Sequence, residues 1–313
     1  MTEQSAAGDA AQSAGTIAFL GLGHMGGPMA VNLIKAGYTV VGYDPVPAAI
    51  EAARDHGVPV TGSAVEAATG ASVILTMLPS GRHVLEAYRG SGGQPGLLEA
   101  AAPGTLFLDC STINVTEAQE AAAAAIAAGH RSVDAPVSGG VVGAEAGTLT
   151  FMVGGEDDDV ATVRPILETM GKRVVHCGAH GLGQAAKVCN NMILGVSMIA
   201  VSEAFVLGEK LGLTHEALFD VAAHASGQCW ALTTNCPVPG PVPTSPANRD
   251  YQPGFAGALM AKDLGLAVNA LEHTGVAADM GQLAARIYNS FVEHGGGGTD
   301  FSGIINSIRE QSE

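Results

Sequence analysis

A chain of 313 residues is long enough to form about two domains with a sizeable core. Hydrophobic residues make up 47% and charged residues 14% of the chain, a composition that excludes a disordered protein. The formal net charge of −16 argues against nucleic acid or an anionic membrane as a partner.

Residues 1–14 are small, polar and mildly acidic, which predicts a disordered tail rather than a targeting signal. The most apolar stretch, residues 188–208, is interrupted by polar residues such as Asn190 and Glu203, so we expect no membrane-spanning segment. The five cysteines form no CxxC pair and no regular spacing, which is typical of free thiols in a reducing compartment. We therefore expect a cytoplasmic protein without a metal site.

A glycine-rich stretch follows the first apolar run and precedes a helical pattern; it comprises Gly21, Leu22, Gly23, His24, Met25 and Gly26. Gly21 would permit a tight turn, Gly23 a close approach of the backbone to a pyrophosphate, and Gly26 close helix–strand packing. The N–H groups at the helix start would attract the phosphates. A glycine-rich turn without a ligand is the alternative.

The second predicted strand ends in Asp44. A carboxylate at this place can accept hydrogen bonds from both ribose hydroxyls of NAD and would repel the 2′-phosphate of NADP. Together with the glycine-rich stretch, Asp44 predicts NAD as the cofactor.

Short apolar runs alternate with helical patterns from residue 16 to about residue 178. The predicted strands are residues 16–21, 38–43, 72–78, 105–109, 131–134, 148–153 and 173–176, and the predicted helices are 27–36, 46–55, 81–89, 115–128 and 157–170. This alternation predicts an α/β Rossmann-type domain over residues 15–180, with a mostly parallel sheet covered on both faces. Later helical patterns cover residues 184–211, 215–224, 257–274, 278–294 and 301–309. They predict an all-α C-terminal domain over residues 181–313.

The turn Ser138-Gly139-Gly140 follows the predicted strand 131–134. Successive backbone N–H groups and a hydroxyl suit a carboxylate ligand. The same residues are also typical of a turn without any ligand.

Lys187 and Asn191 are four residues apart on the predicted helix 184–211 and therefore project from the same face. Their surroundings are largely apolar, where an ammonium and an amide need partners. Desolvation would lower the pKa of the lysine, as a general acid/base near neutral pH requires. The alternative is a structural lysine that extends its ammonium to solvent, with the amide of Asn191 capping a neighbouring group.

Several motifs occur in an order that identifies a family resemblance. They are Phe19–Met29, Thr76–Pro79, Asp109–Thr112, Asp134–Gly147, Gly183–Asn191 and Lys262-Asp263-Leu264. In these motifs the chain resembles the 3-hydroxyisobutyrate dehydrogenases, within the wider β-hydroxyacid dehydrogenase family, over about residues 16–310. The segments Cys236–Pro246 and Asp300–Ile305 are similar to the bacterial members that act in valine catabolism.

The resemblance implies a role for each matched position. Lys187 would be the catalytic lysine, and Asn191 would help to hold the substrate. Ser138, Gly139 and Gly140 would receive the substrate carboxylate. The cofactor site would include, besides the glycine-rich stretch and Asp44, the residues Leu78, Pro79, His83, Thr112 and Lys262. Cys110 stands where the family commonly has a serine, which is a small change.

The implied reaction is the NAD-dependent oxidation of 3-hydroxyisobutyrate to methylmalonate semialdehyde, with Lys187 as general acid/base and no metal. We expect the active site between the two domains and a homodimer or homotetramer. Two alternatives stay open. One is a related reductase of tartronate or succinate semialdehyde, which often prefers NADP and has Asn-Arg after the second strand, where this chain has Tyr43-Asp44-Pro45. The other is a non-catalytic dinucleotide-binding protein.

Overall fold

The structure, a computed structural model, describes residues 15–312. The predicted tail of residues 1–14 lies outside this range. The chain divides into two compact units, the first ending at Lys187 and the second beginning at Val188. This division falls inside one long helix, and the domain boundary at residues 180/181 stays a prediction.

The first unit contains one eight-stranded sheet. Its strands are β1 (Thr16–Leu20), β2 (Thr39–Tyr43), β3 (Val73–Thr76), β4 (Leu106–Asp109), β5 (Arg131–Asp134), β6 (Val137–Ser138), β7 (Leu149–Gly154) and β8 (Gly171–Gly178). The order is β2-β1-β3-β4-β5-β7-β6, with β8 paired to β7. The strands from β2 to β5 are parallel neighbours, β7 is antiparallel to β5 and β6, and β8 is parallel to β7. The prediction of a mostly parallel sheet is confirmed.

Eight helices accompany this sheet. They are α1 (Gly26–Lys35), α2 (Pro47–Asp55), α3 (Ala64–Ala68), α4 (Gly81–Arg89), α5 (Leu97–Ala100), α6 (Val115–Ala127), α7 (Gly140–Ala146) and α8 (Asp157–Met170). The sequence pattern did not predict α3, α5, α7 or the two-residue β6. These elements are too short to show a helical or strand period.

Both faces of the sheet are buried at its centre, as β1 illustrates. Ile17 and Phe19 pack into the hydrophobic core on one face, whereas Ala18 and Leu20 pack into the core on the other. Successive side chains of a strand point to opposite faces, so a strand covered on both sides needs an apolar residue at every position. This requirement explains why β1 reads as a continuous apolar run.

The second unit is helical. Helix α9 (Leu182–Leu211) crosses the division, and α10 (His215–Ala223), α11 (Trp230–Thr233), α12 (Gly257–Thr274), α13 (Asp279–Glu293) and α14 (Ile304–Gln311) follow, with 3-10 turns at Pro246–Arg249, Gly296–Gly298 and Phe301–Gly303. Phe205, Tyr288 and Phe301 are among the fully buried side chains of its core. The predicted all-α C-terminal domain is confirmed as a fold class.

Helix α9 is the one helix of the described residues that is long and apolar enough to cross a membrane, judged by length and composition alone. Half of its most apolar 18-residue window is buried inside the structure. The core helix of a soluble protein meets the same criterion. The expectation of no membrane-spanning segment stays a prediction.

Candidate active site

The glycine-rich stretch connects β1 to α1, and its glycines meet different surroundings. Gly21 has φ +93°, and a Cβ at this position would overlap the carbonyl oxygen of Met77. A Cβ on Gly26 would overlap the carbonyl oxygen of Gly21. A Cβ on Gly23 would meet no atom within 4 Å, so the backbone there faces open space. The residues present therefore fit a dinucleotide pyrophosphate, with a tight turn on one side and an accessible backbone on the other.

Asp44 follows β2 and is buried, with 7% of its surface exposed. Its Oδ2 accepts a hydrogen bond of 2.7 Å from the backbone N–H of Leu22, and its Oδ1 accepts one of 2.8 Å from the backbone N–H of Val46. Each carboxylate oxygen has a further lone pair that can accept from a hydroxyl. The carboxylate is thus held against the glycine-rich stretch while it keeps the capacity to bind a ribose.

The other predicted cofactor residues of the first unit lie on loops after β3 and β4. Leu78 and Pro79 follow β3, and Thr112 follows β4. Because β1, β3 and β4 are parallel neighbours, these loops leave the same edge of the sheet as the glycine-rich stretch. The two loops are joined, since the backbone N–H of Leu78 donates to the Ser111 hydroxyl at 2.8 Å.

Two further predicted cofactor residues have less distinctive positions. His83 lies in the first turn of α4, and its Nδ1 shares a hydrogen bond of 2.7 Å with the Ser80 hydroxyl. Lys262 lies on α12, within the second unit. The roles of both residues stay predictions.

The predicted carboxylate-binding turn has a backbone that favours glycine. Ser138 ends β6, and Gly139 and Gly140 have φ values of +137° and +63°. A side chain at either glycine would be strained. Gly140 also begins α7, so the turn changes the chain direction between a strand and a helix.

Lys187 lies next to this turn. Its side chain is buried, with 6% exposed, and its Nζ donates a hydrogen bond of 2.8 Å to the carbonyl oxygen of Val137. Val137 directly precedes Ser138, so the structure brings the predicted catalytic amine to the predicted substrate-binding turn. The alternative of a lysine reaching into solvent does not describe this side chain.

Asn191 lies one turn further along α9, in the second unit. It is buried, its Nδ2 donates a short hydrogen bond to the Asp263 carboxylate, and its Oδ1 accepts one of 3.0 Å from Asn190 Nδ2. Asp263 was visible in the sequence as part of Lys262-Asp263-Leu264, but no sequence pattern indicated that it contacts Asn191.

Asp134 and Gln184 are buried polar residues whose roles no sequence pattern predicted. Asp134 ends β5, and its carboxylate accepts hydrogen bonds from the backbone N–H of Gly181 at 2.7 Å and of Gln184 at 3.1 Å. Burial raises the pKa of Asp134 to about 6, an effect that these two hydrogen bonds oppose and the nearby Asp109 reinforces. Asp134 therefore anchors the start of the helix that carries Lys187.

The described residues contain no group of three or more His, Cys, Asp or Glu side chains placed to hold a metal. His176, Cys177 and His180 lie close together in the sequence, but both histidines form hydrogen bonds with the main chain. His176 Nε2 contacts the Gly155 carbonyl oxygen and His180 Nε2 contacts the Ser132 carbonyl oxygen, each at 2.9 Å. That the protein works without a metal stays a prediction.

Two family models cover most of the chain. Residues 16–178 match the NAD binding domain of 6-phosphogluconate dehydrogenase, and residues 181–308 match the model described as NAD-binding of NADP-dependent 3-hydroxyisobutyrate dehydrogenase. A solved structure of a Mycobacterium tuberculosis 3-hydroxyisobutyrate dehydrogenase with L-serine is 55% identical, with a TM-score of 0.89. That match covers 94% of this chain and 99% of the other. The chain belongs to the 3-hydroxyisobutyrate dehydrogenase family.

Two relatives from Pseudomonas aeruginosa carry different substrate names within this family. A 3-hydroxyisobutyrate dehydrogenase is 46% identical over 92% of this chain and 96% of the relative. An NAD-dependent L-serine dehydrogenase is also 46% identical, over 91% of this chain and 95% of the relative. Membership of the 3-hydroxyisobutyrate dehydrogenase family thus establishes a β-hydroxyacid dehydrogenase with an NAD(H) cofactor.

Proposed function

We propose that this protein is an NAD-dependent dehydrogenase that oxidises 3-hydroxyisobutyrate to methylmalonate semialdehyde in valine catabolism. One observation carries the proposal: the buried Nζ of Lys187 lies 2.8 Å from the carbonyl oxygen of Val137, directly before the turn Ser138–Gly140. An amine and a carboxylate-binding turn side by side suit a substrate whose hydroxyl and carboxylate are separated by two carbons.

Lys187 acts as the general base in this mechanism. Its neutral amine donates one N–H to Val137 and uses its lone pair to accept the proton of the substrate hydroxyl. The turn Ser138–Gly140 binds the carboxylate and so orients the carbinol carbon. The glycine-rich stretch and Asp44 would hold NAD, which would supply the hydride acceptor for that carbon. In the reverse direction the ammonium of Lys187 returns the proton to the aldehyde oxygen.

The preference for NAD over NADP rests on Asp44. Its carboxylate is held by the backbone N–H groups of Leu22 and Val46, so it cannot easily turn away from an approaching 2′-phosphate. Like charges in such a site repel each other strongly. The residues Asp44-Pro45 also disfavour the alternative of an NADP-preferring semialdehyde reductase.

L-Serine is the second candidate substrate, because one relative is named for it and the solved relative is described with it. L-Serine and 3-hydroxyisobutyrate share a β-hydroxyl and a carboxylate, and they differ by an ammonium in place of a methyl group. The two substituents are similar in size, so charge rather than shape must separate them. We favour 3-hydroxyisobutyrate, because the ammonium of L-serine would lie buried near the ammonium form of Lys187 and the two positive charges would repel each other.

Steady-state kinetics test these assignments. We expect the highest kcat/KM for 3-hydroxyisobutyrate with NAD, in a panel that includes L-serine, other short hydroxy acids and both cofactors. A higher kcat/KM for L-serine would replace the proposed substrate. Binding of NADH without turnover of any hydroxy acid would favour the non-catalytic alternative.

We further propose that the protein is a homodimer or homotetramer in the cytoplasm. Large apolar side chains on the surface of the single chain support an oligomer. Leu207 and Leu211 on α9 are 60% and 72% exposed, and Val221 on α10 is 67% exposed. The free cysteines of the described residues are compatible with a reducing compartment. Light scattering after size-exclusion chromatography tests the assembly, and a monomeric mass at micromolar concentration would contradict it.

A further inference from the structure

Gln184 is a fully buried polar side chain at the start of α9, three residues before Lys187. Burying a carboxamide is costly unless both of its ends form hydrogen bonds. Its Nε2 donates to the Ser111 carbonyl oxygen at 2.7 Å, and its Oε1 accepts from the Ile113 backbone N–H at 3.2 Å. Since one partner is an acceptor and the other a donor, the carboxamide has a single satisfactory orientation.

These two bonds hold the main chain on both sides of Thr112, the predicted cofactor residue after β4. The same loop also holds the loop after β3, because the Ser111 hydroxyl accepts from the backbone N–H of Leu78 at 2.8 Å. One carboxamide therefore connects the first turn of α9 with two loops to which cofactor contacts are assigned.

The other groups of this first turn are fixed as well. The backbone N–H of Gln184 donates to Asp134, and a Cβ on Gly183 would overlap the carbonyl oxygen of Met152. With one anchor on Asp134 and a second through the Gln184 side chain, the turn cannot slide or rotate without breaking a buried hydrogen bond. Lys187, less than one turn further on, takes its position from this turn.

We propose that Gln184 is a positioning residue of the dehydrogenase, whose carboxamide sets the place of Lys187 relative to the cofactor-binding loops. This inference rests on the proposed role of Lys187 in catalysis. Gln184 touches neither substrate nor cofactor in this arrangement. It acts through alignment, and a misplacement of about 1 Å at a reacting group costs on the order of 100-fold in rate.

Gln184→Met tests the proposal, because methionine has a similar length and removes both hydrogen bonds. We expect kcat to fall by about 10- to 100-fold, while the Kd for NADH measured by fluorescence changes little. The kinetic isotope effect on kcat, with deuterium on the carbinol carbon, should rise because hydride transfer becomes slower than product release. Gln184→Asn, whose side chain is one methylene shorter and so cannot reach both partners, should show the same rise if the methionine variant does not fold.

Thr105→Val is the matched control. Thr105 is buried at the opposite end of β4, where its hydroxyl donates to the carbonyl oxygens of Ala102 at 2.7 Å and Ala71 at 3.2 Å. The loss of this hydroxyl should lower the melting temperature of the protein and leave kcat and the isotope effect unchanged. If the Gln184 variants lose no more kcat than Thr105→Val and keep the original isotope effect, the residue is only structural and the proposal fails. Full activity of Lys187→Ala would instead refute the proposed function on which the inference rests.

Discussion

The side-chain amide of Asn191 donates a hydrogen bond to the carboxylate of Asp263, and both side chains are buried. A hydrogen bond to an ionised acceptor is shorter and stronger than a neutral one. Because Asn190 donates to the Oδ1 of Asn191, the orientation of this amide is determined from both ends. The residue that the family resemblance assigns to substrate binding is therefore held in place by Asp263.

Asp263→Leu should raise the KM for the hydroxy acid by about 10- to 100-fold, since a lost hydrogen bond to a charged group is worth about 1.5–3 kcal/mol. Asp263→Asn keeps an acceptor oxygen for Asn191 and should therefore raise the KM by a smaller factor. Asp220→Asn, on the exposed side of α10, is the control and should behave like the unchanged enzyme. An unaltered KM in Asp263→Leu would show that Asn191 does not depend on this contact.

Lys187→Ala should lower kcat by about 10²–10⁴-fold, the usual contribution of a positioned acid/base. Binding of NADH should persist, because the glycine-rich stretch and Asp44 do not depend on this side chain. Lys187→Arg should restore little activity, since a guanidinium stays charged and cannot accept the proton. In the unchanged enzyme, kcat/KM for oxidation should rise with pH as Lys187 loses its proton. Near-normal turnover by Lys187→Ala, in protein that binds NADH, would make Lys187 a structural residue.

The methyl ester of the substrate should be a very poor substrate if the turn Ser138–Gly140 binds the carboxylate. Gly140→Leu should raise the KM for the acid, because φ +63° strains any side chain and the backbone N–H groups would shift. Titration with NADH separates this effect from a general loss of the fold. Equal rates for ester and acid would remove the carboxylate-binding turn from the mechanism.

Asp44→Ala should lose much of the preference for NAD over NADP in kcat/KM, because the like charge beside the 2′-phosphate is gone. The variant should also be less stable, since the backbone N–H groups of Leu22 and Val46 lose their acceptor. Asp44→Asn removes the charge and keeps one of the two acceptor oxygens, so it should lose the cofactor preference with a smaller loss of stability than Asp44→Ala. An unchanged enzyme that used NADP as well as NAD would contradict the assignment of Asp44.

Asp134 should make the folded protein less stable as the pH rises. Its pKa is raised to about 6 in the folded state, so the folded state binds this proton more tightly than the unfolded chain does. The resulting stabilisation is complete below the unfolded value of about 3.9 and is lost as the pH passes through 6, a change of about 2–3 kcal/mol. The free energy of unfolding, measured with urea at several pH values between 4 and 8, should depend less on pH in Asp134→Asn than in the unchanged protein. Parallel profiles for the two proteins would contradict this prediction.

Much of the fold was predictable because its signals are local. The central strands β1, β3 and β4 read as apolar runs because they are buried on both faces, and the helices of both halves show their own period. The antiparallel insertion of β7 between β5 and β6 was not predicted, since pairing direction depends on where distant segments meet. The short β6 nevertheless matters for the site, because it carries Val137 and Ser138.

The sequence by itself determined the cofactor class, the glycine positions that a dinucleotide requires, and Lys187 as the candidate base. These features are carried by residue types at short spacings, where glycine conformation and helix geometry act directly. Only the tertiary structure decided the partners: Val137 for Lys187, Ser111 and Ile113 for Gln184, and Asp263 for Asn191. These partners are 50 to 73 positions apart in the chain. A buried polar group must find a hydrogen-bond partner wherever folding places one, and no periodicity in the sequence records that choice.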